Sequence, residues 1–252
     1  MFGSVWTAML FRSRFGLIAW ACGAGTFSLL MMALEPAVID MWSVFARYMP
    51  GTGGGKGVPI ETIYAGFSAE VVALLIVAYV IAQTASWSAD LAEGRLEAVL
   101  ATPVSWSRLV WERLLALLAG VACVAAGSIA GLVIGAAAVD FQLDWAGIGR
   151  VAADCLLFGA ALGGIAAVVV AAIRGGAGVT VLAVLMTASY LQGYLAKMFD
   201  WPTWVERYSL FSAFGNPYVE WAGLGETVLL LLVAVSGALL AALIAERTPK
   251  VA

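Results

Sequence analysis

Acidic, basic and small residues crowd the stretch Asp90-Leu-Ala-Glu-Gly-Arg-Leu-Glu-Ala-Val-Leu-Ala-Thr-Pro-Val-Ser-Trp-Ser-Arg-Leu-Val-Trp-Glu-Arg113, which lies between two long apolar runs. Helical spacing over residues 90–102 puts Asp90, Glu93 and Glu97 on one face and Leu96, Val99 and Leu100 on another. Pro103 disfavours the helical region for Thr102, and Ser105 or Ser107 is suited to cap a second helix beyond it. The pattern predicts a short amphipathic helix, a sharp corner and a new helix. Its chemistry is docking, with carboxylates offered to a basic surface from an element tethered at both ends. A plain solvated loop is the competing reading of the same residues.

Other reactive patterns are poor. Gly51-Thr-Gly-Gly-Gly-Lys-Gly57 has glycines and a lysine in the manner of a phosphate-binding loop, but Gly57 stands where the metal-binding Ser or Thr is needed, and Pro50 where the first glycine belongs. It reads as a flexible outer loop, which leaves the chain without a recognisable ATP site. The absence of histidine rules out His-based acid–base chemistry, haem ligation through His and the usual zinc sites. Cys22, Cys123 and Cys155 lie among apolar and small residues, and an odd number cannot all pair, so buried free thiols are predicted. With no clustered catalytic carboxylates or cysteines either, the chain does not read as an enzyme.

The elements around these residues are membrane spans. Of 252 residues, 63% are hydrophobic and 12% charged, and mean hydropathy is +0.99. That composition predicts an all-α polytopic protein in a single transmembrane domain over residues 1–252. Six spans are predicted at about 15–34, 63–87, 114–139, 151–173, 175–196 and 227–245, with the amphipathic helix at about 90–102 between the second and third. Phe2, Val5, Trp6, Met9 and Leu10 precede Arg12 and Arg14, the pattern of an N-terminal interfacial helix or of the first turns of span one. Met41, Trp42, Phe45, Tyr48 and Met49 predict a second interfacial helix. Between spans five and six, Trp201, Trp204, Tyr208 and Phe211, broken by Pro202 and Pro217, predict an interrupted outer aromatic segment.

Glycines at four-residue spacing, Gly127, Gly131 and Gly135 in span three and Gly159 and Gly163 in span four, predict close helix packing. A charge at mid-span costs about 2.5–3.5 kcal/mol on insertion scales, so Glu70 and Asp154 stand out; both fall toward the outer ends of their spans, where they serve as interface residues if water reaches them. Placing both termini in the cytoplasm puts Arg12, Arg14, Arg95, Arg108, Arg113, Arg174, Arg247 and Lys250 inside, against Arg47, Lys56, Arg150, Lys197 and Arg207 outside. That distribution agrees with the positive-inside rule. Nucleic acid is not an expected partner of so apolar a chain.

Glu93-Gly-Arg-Leu-Glu97, Leu100-Ala-Thr-Pro-Val-Ser105 and Arg108-Leu-Val resemble the cytoplasmic loop joining spans two and three in ABC-2 type permeases, the membrane subunits of ABC exporters. The resemblance is specific over this loop and one of layout elsewhere. It implies a type V exporter fold in the cell membrane, with the loop docked on a separate nucleotide-binding subunit. ATP and Mg would sit on that subunit, and no cofactor on this chain. A second permease subunit, identical or homologous, would face this one across a central pathway. Carried over by position, Glu93, Gly94, Leu96, Glu97, Pro103 and Arg108 are the coupling residues, with Asp90 and Arg95 in the same stretch. Trp106 and Trp111 depart from the family pattern at the corner.

Spans two and five line the pathway in that family, which makes Tyr79, Gln83, Tyr190 and Gln192 candidate substrate contacts; helix–helix hydrogen bonding is the other role open to them. A mostly apolar pathway suits a drug, peptide or lipid-like cargo. The rival reading is an ion- or proton-coupled secondary carrier without an ATPase, in which Glu70 and Asp154 would be the titrating groups.

Overall fold

The computed structural model describes residues 5–38, 60–92, 106–173, 176–199, 201–202, 204–205, 209–219 and 223–247. The second predicted interfacial helix, the Gly51–Gly57 loop and residues 93–105 lie outside them. All regular structure among the described residues is helical: α1 Val5–Ala33, α2 Ile60–Ala92, α3 Trp106–Ala138, α4 Trp145–Ala172, α5 Gly176–Met198, the short α6 Leu210–Phe214, and α7 Leu224–Arg247. Six of these are long and apolar enough to cross a membrane. The chain is an integral membrane protein.

The helices outrun the predicted spans. α2 and α3 each have 33 residues, or about 50 Å at the helical rise, against a hydrocarbon core of about 30 Å. Hydropathy registers only the part that lipid requires to be apolar, whereas backbone hydrogen bonding carries a helix on into the polar layer. For the same reason α1 runs unbroken from Val5, so the predicted N-terminal interfacial segment is continuous with the first span.

Two helix pairs hold the bundle, and small residues set both. Where α1 crosses α3, a Cβ on Gly131 would stand 1.9 Å from the Gly25 carbonyl oxygen, and one on Gly127 2.2 Å from that of Ala21. Where α4 crosses α7, a Cβ on Gly164 would meet the Ala234 carbonyl oxygen at 2.8 Å, and one on Gly237 the Gly164 carbonyl carbon at 2.6 Å. Backbone thus lies against backbone, the close approach by which helices associate in lipid. The expected faces are used, although Gly159 and Gly163 receive the side chains of Val121 and Leu117 rather than backbone.

α4 is the central element. It packs against α2, α3, α5, α6 and α7, and its buried side chains include Ile148, Val151, Cys155, Phe158, Leu162 and Ala166. Asp144 caps its start, accepting from the Ala146 and Gly147 backbone amides, each at 3.0 Å. Large apolar residues of α7, among them Leu232, Val235, Leu239 and Leu243, point outward, as lipid-facing side chains do. One expectation for the cysteines is corrected: Cys155 is buried, but Cys22 and Cys123 are exposed, because their positions on α1 and α3 face away from the crossing.

Overpacking a filled contact costs about 1–3 kcal/mol. Gly131→Ala is expected to lower the thermal midpoint of the detergent-solubilised protein by several degrees, whereas Gly149→Ala, where nothing lies within 4 Å, leaves it unchanged; intrinsic-fluorescence melting checks both.

Candidate functional site

At one end of the bundle, α2 leaves and α3 begins, and charged side chains tie the two together. An Arg113 guanidinium nitrogen lies 3.6 Å from the Asp90 carboxylate, and its carbon lies 5.9 Å from the ring centre of Trp87. One turn earlier on α3, the Arg108 Nε donates to Glu112 at 2.7 Å. Glu112 and Arg113 are both 7% exposed, whereas the Arg108 side chain is 58% and that of Asp90 25% exposed, so each pair joins one buried partner to one that water reaches. The two helices are thereby fixed on either side of residues 93–105. Asp90 and Arg108 stand at the rim of this joint, while Glu93, Gly94, Arg95, Leu96, Glu97 and Pro103 lie outside the described residues.

The opposite end carries a second clasp, built on Arg150. Its Nε donates to the Pro217 carbonyl at 3.0 Å, and a terminal nitrogen donates to the Tyr218 carbonyl at 2.8 Å and to Asp144 at 3.1 Å. The Asp144 amide donates in turn to the Tyr218 hydroxyl at 3.0 Å. Burial pushes the Tyr218 phenol above its ordinary range, so this contact keeps its neutral hydroxyl throughout the physiological range. Segment 209–219 is also anchored to α5: the Ser209 hydroxyl donates to the Ser189 carbonyl and the Leu210 amide to the Ser189 hydroxyl, both at 2.8 Å. The segment therefore forms a fixed roof across α4 and α5.

Beneath it lies an aromatic cluster. Phe158 of α4 meets Phe211 and Phe214 at centroid separations of 5.5 and 5.2 Å, and Tyr190 of α5 meets Phe211 edge-on at 5.1 Å. Among the described residues, no group of three His, Cys, Asp or Glu side chains could hold a metal ion.

Residues 4–245, which take in all six spans and both clasps, match the family described as "Multidrug efflux system permease Rv1217c, C-terminal domain". The chain belongs to this family. No curated protein and no solved structure gives a significant match.

In this efflux-permease chain the four candidate pathway residues fall into two places. Tyr79 is 2% exposed, edge-on to Trp20 of α1 at 5.8 Å, with its hydroxyl in the space left by Gly120 of α3; Gln83, one turn on, is half-buried. Tyr190 and Gln192 instead join α5 to the aromatic segment, Tyr190 through Phe211 and Gln192 by donating to the Val205 carbonyl at 2.8 Å. Glu70 is half-buried and within electrostatic reach of Tyr190. Asp154 departs from the water-accessible placement: it is 1% exposed, and neither carboxylate oxygen has a hydrogen-bond partner. Nine residues into α4 it is too deep for the interface, and the aromatic roof closes over its end of the helix.

Sequence reading missed the clasps formed by Glu112, Arg113 and Arg150. Their signal is the alternation of opposite charges just outside apolar runs, Arg108, Glu112 and Arg113 at one end and Asp144 and Arg150 at the other.

Hydrogen bonds from a charged donor contribute about 1.5–3 kcal/mol each. Arg150→Ala is expected to loosen segment 209–219, raising its amide exchange more than ten-fold with α1 and α3 unchanged, and Arg150→Lys is expected to restore little because one ammonium cannot span both carbonyls in the same geometry. Hydrogen–deuterium exchange read by mass spectrometry makes the comparison.

Proposed function

We propose that the chain is the membrane half of an ATP-driven exporter of the ABC-2 type, moving hydrophobic or amphiphilic molecules out of the cell. The loop helix at about 90–102 docks on a separate ATPase subunit that carries ATP and Mg. Both termini then lie in the cytoplasm, and a second permease subunit completes the pathway.

The observation that carries this reading is the joint between α2 and α3. A docking element transmits force only if its two ends are stiff, and the Asp90–Arg113 pair, whose arginine is buried, with Trp87 beside it, stiffens both where the loop leaves the bundle. Membership of an efflux-permease family over residues 4–245 and the motif Glu93-Gly-Arg-Leu-Glu97 point the same way. In the exporter, Glu93 and Glu97 meet basic groups on the ATPase while Asp90 holds Arg113, and nucleotide-driven closure of the ATPase pulls on α2 and α3 together. Tyr190 and Gln192 on α5 and Gln83 on α2 are the candidate cargo contacts.

The unpartnered Asp154 favours a second reading, a carrier driven by protons or ions without an ATPase. Purification from the native host separates the two. An ATPase is expected to copurify with the tagged wild-type chain, and Glu97→Lys to lose most of the bound ATPase activity while the permease stays folded. Folded wild-type protein that brings down no ATPase in several mild detergents would instead support the carrier.

A further inference from the structure

Arg14 stands just inside the first span, Ser13–Ala33, whose 21 residues cover about 30 Å at the helical rise, the thickness of the hydrocarbon core. The side chain therefore leaves α1 where acyl chains give way to headgroups. Its guanidinium carbon lies 3.9 Å from the ring centre of Phe11 and 4.9 Å from that of Phe15. Stacking on a ring occupies the flat face of a guanidinium and leaves the N–H groups at its edge free to donate. Among the described residues no carboxylate pairs with Arg14, in contrast to Arg108, Arg113 and Arg150, and the side chain is exposed. Its surroundings are exposed as well: Phe11 by 53%, Phe15 by 72% and Ile18 by 57%. With the exposed Cys22 these residues form a stripe at i, i+4, i+7 and i+11 along one side of α1. The contact with α3 is made by Ala21 and Gly25 instead.

We infer that this side of α1 is a docking surface for an anionic phospholipid, with the phosphate held by Arg14 beside the rings of Phe11 and Phe15 and an acyl chain lying along Ile18 and Cys22. Charge complementarity selects the occupant. A cation without a protein counter-charge at headgroup depth gains from a phosphodiester, whose oxygens accept the edge N–H groups of a guanidinium in pairs. A headgroup of net negative charge adds an attraction that a zwitterion lacks. The rings hold the guanidinium against α1, so its donors are oriented before the lipid arrives. The apolar stripe continues the surface to acyl-chain depth, an extension that a soluble phosphate cannot use. The inference requires only that α1 crosses the membrane, and it is independent of the ATPase and of the cargo.

The test is native mass spectrometry of the purified full chain in detergent, titrated with phosphatidylglycerol or with phosphatidylcholine of the same acyl chains. The wild type is expected to bind its first phosphatidylglycerol about five-fold more tightly than phosphatidylcholine. Arg14→Gln is expected to abolish that preference, and Phe15→Leu, which keeps apolar area but removes a ring, to reduce it about two-fold. Arg247→Gln, which removes an exposed cation from the end of α7, is expected to leave it unchanged. Should Arg14→Gln not fold, Phe15→Leu is read in its place against Arg247→Gln. No headgroup preference in the wild type, or an equal loss in Arg14→Gln and Arg247→Gln, would overturn the site, the latter by showing a diffuse field. Displacement of the lipid by an equal concentration of glycerol phosphate would also overturn it, in favour of a free-phosphate site. So would a dimer whose fraction falls in Arg14→Gln at unchanged lipid preference, which would give the face to a second copy of the chain.

Discussion

In hydrocarbon, apolar side chains gain nothing by leaving lipid for one another, so the crossings of α1 with α3 and of α4 with α7 depend on backbone contact that only glycine permits. Gly25, Gly127 and Gly131 in one pair, and Gly164 and Gly237 in the other, give up side-chain volume so that carbonyls and α-carbons touch. Once these distances are fixed, the remaining geometry follows. α4 is held between α3 and α7, its Gly147 and Phe158 meet the roof, and Val121 and Leu117 of α3 fill the spaces that Gly159 and Gly163 leave.

Paired charges gather at the two ends, while hydroxyls such as those of Tyr79, Thr84 and Ser128 are buried along the helices. At the ends, charges occur in opposite-sign pairs, Asp90 with Arg113, Arg108 with Glu112 and Asp144 with Arg150, although the buried Arg113 Nε has no hydrogen-bond partner. Such pairs contribute modestly to net stability but specify which residues must meet, because a lone partner left in the same surroundings would be costly. The ends are thus fixed in register, while the lipid-facing surfaces of α5 and α7 are left apolar.

The six spans and their order were legible in the sequence because lipid demands long apolar stretches, and the small-residue faces because close packing demands glycine at helical spacing. The start of α3 at Trp106 was legible as well, from Ser105 and Ser107 beyond Pro103, but the end of α2 was not: it runs to Ala92, past its apolar run, because backbone hydrogen bonding carries the helix on into polar residues. Asp154 shows the sharper limit. Its position near a span end suits a water-facing residue, but it lies on the buried side of α4, a helix packed against α2, α3, α5, α6 and α7, and that non-local packing leaves no mark in the periodicity. Likewise Tyr79 and Tyr190 look alike as tyrosines in spans, and only the packing partners, Trp20 for one and Phe211 for the other, tell them apart.

The glycine seam between α1 and α3 has a mechanical corollary. Two rods joined backbone to backbone along several turns cannot slide or rotate independently, so α1 and α3 behave as one stiff lever whose foot carries Arg113. A tilt of about 5° in a rod about 50 Å long displaces its far end by about 4 Å, close to the width of a methyl group. Small angular work at one membrane face is thereby converted into a side-chain-sized displacement at the other, without any helix having to bend.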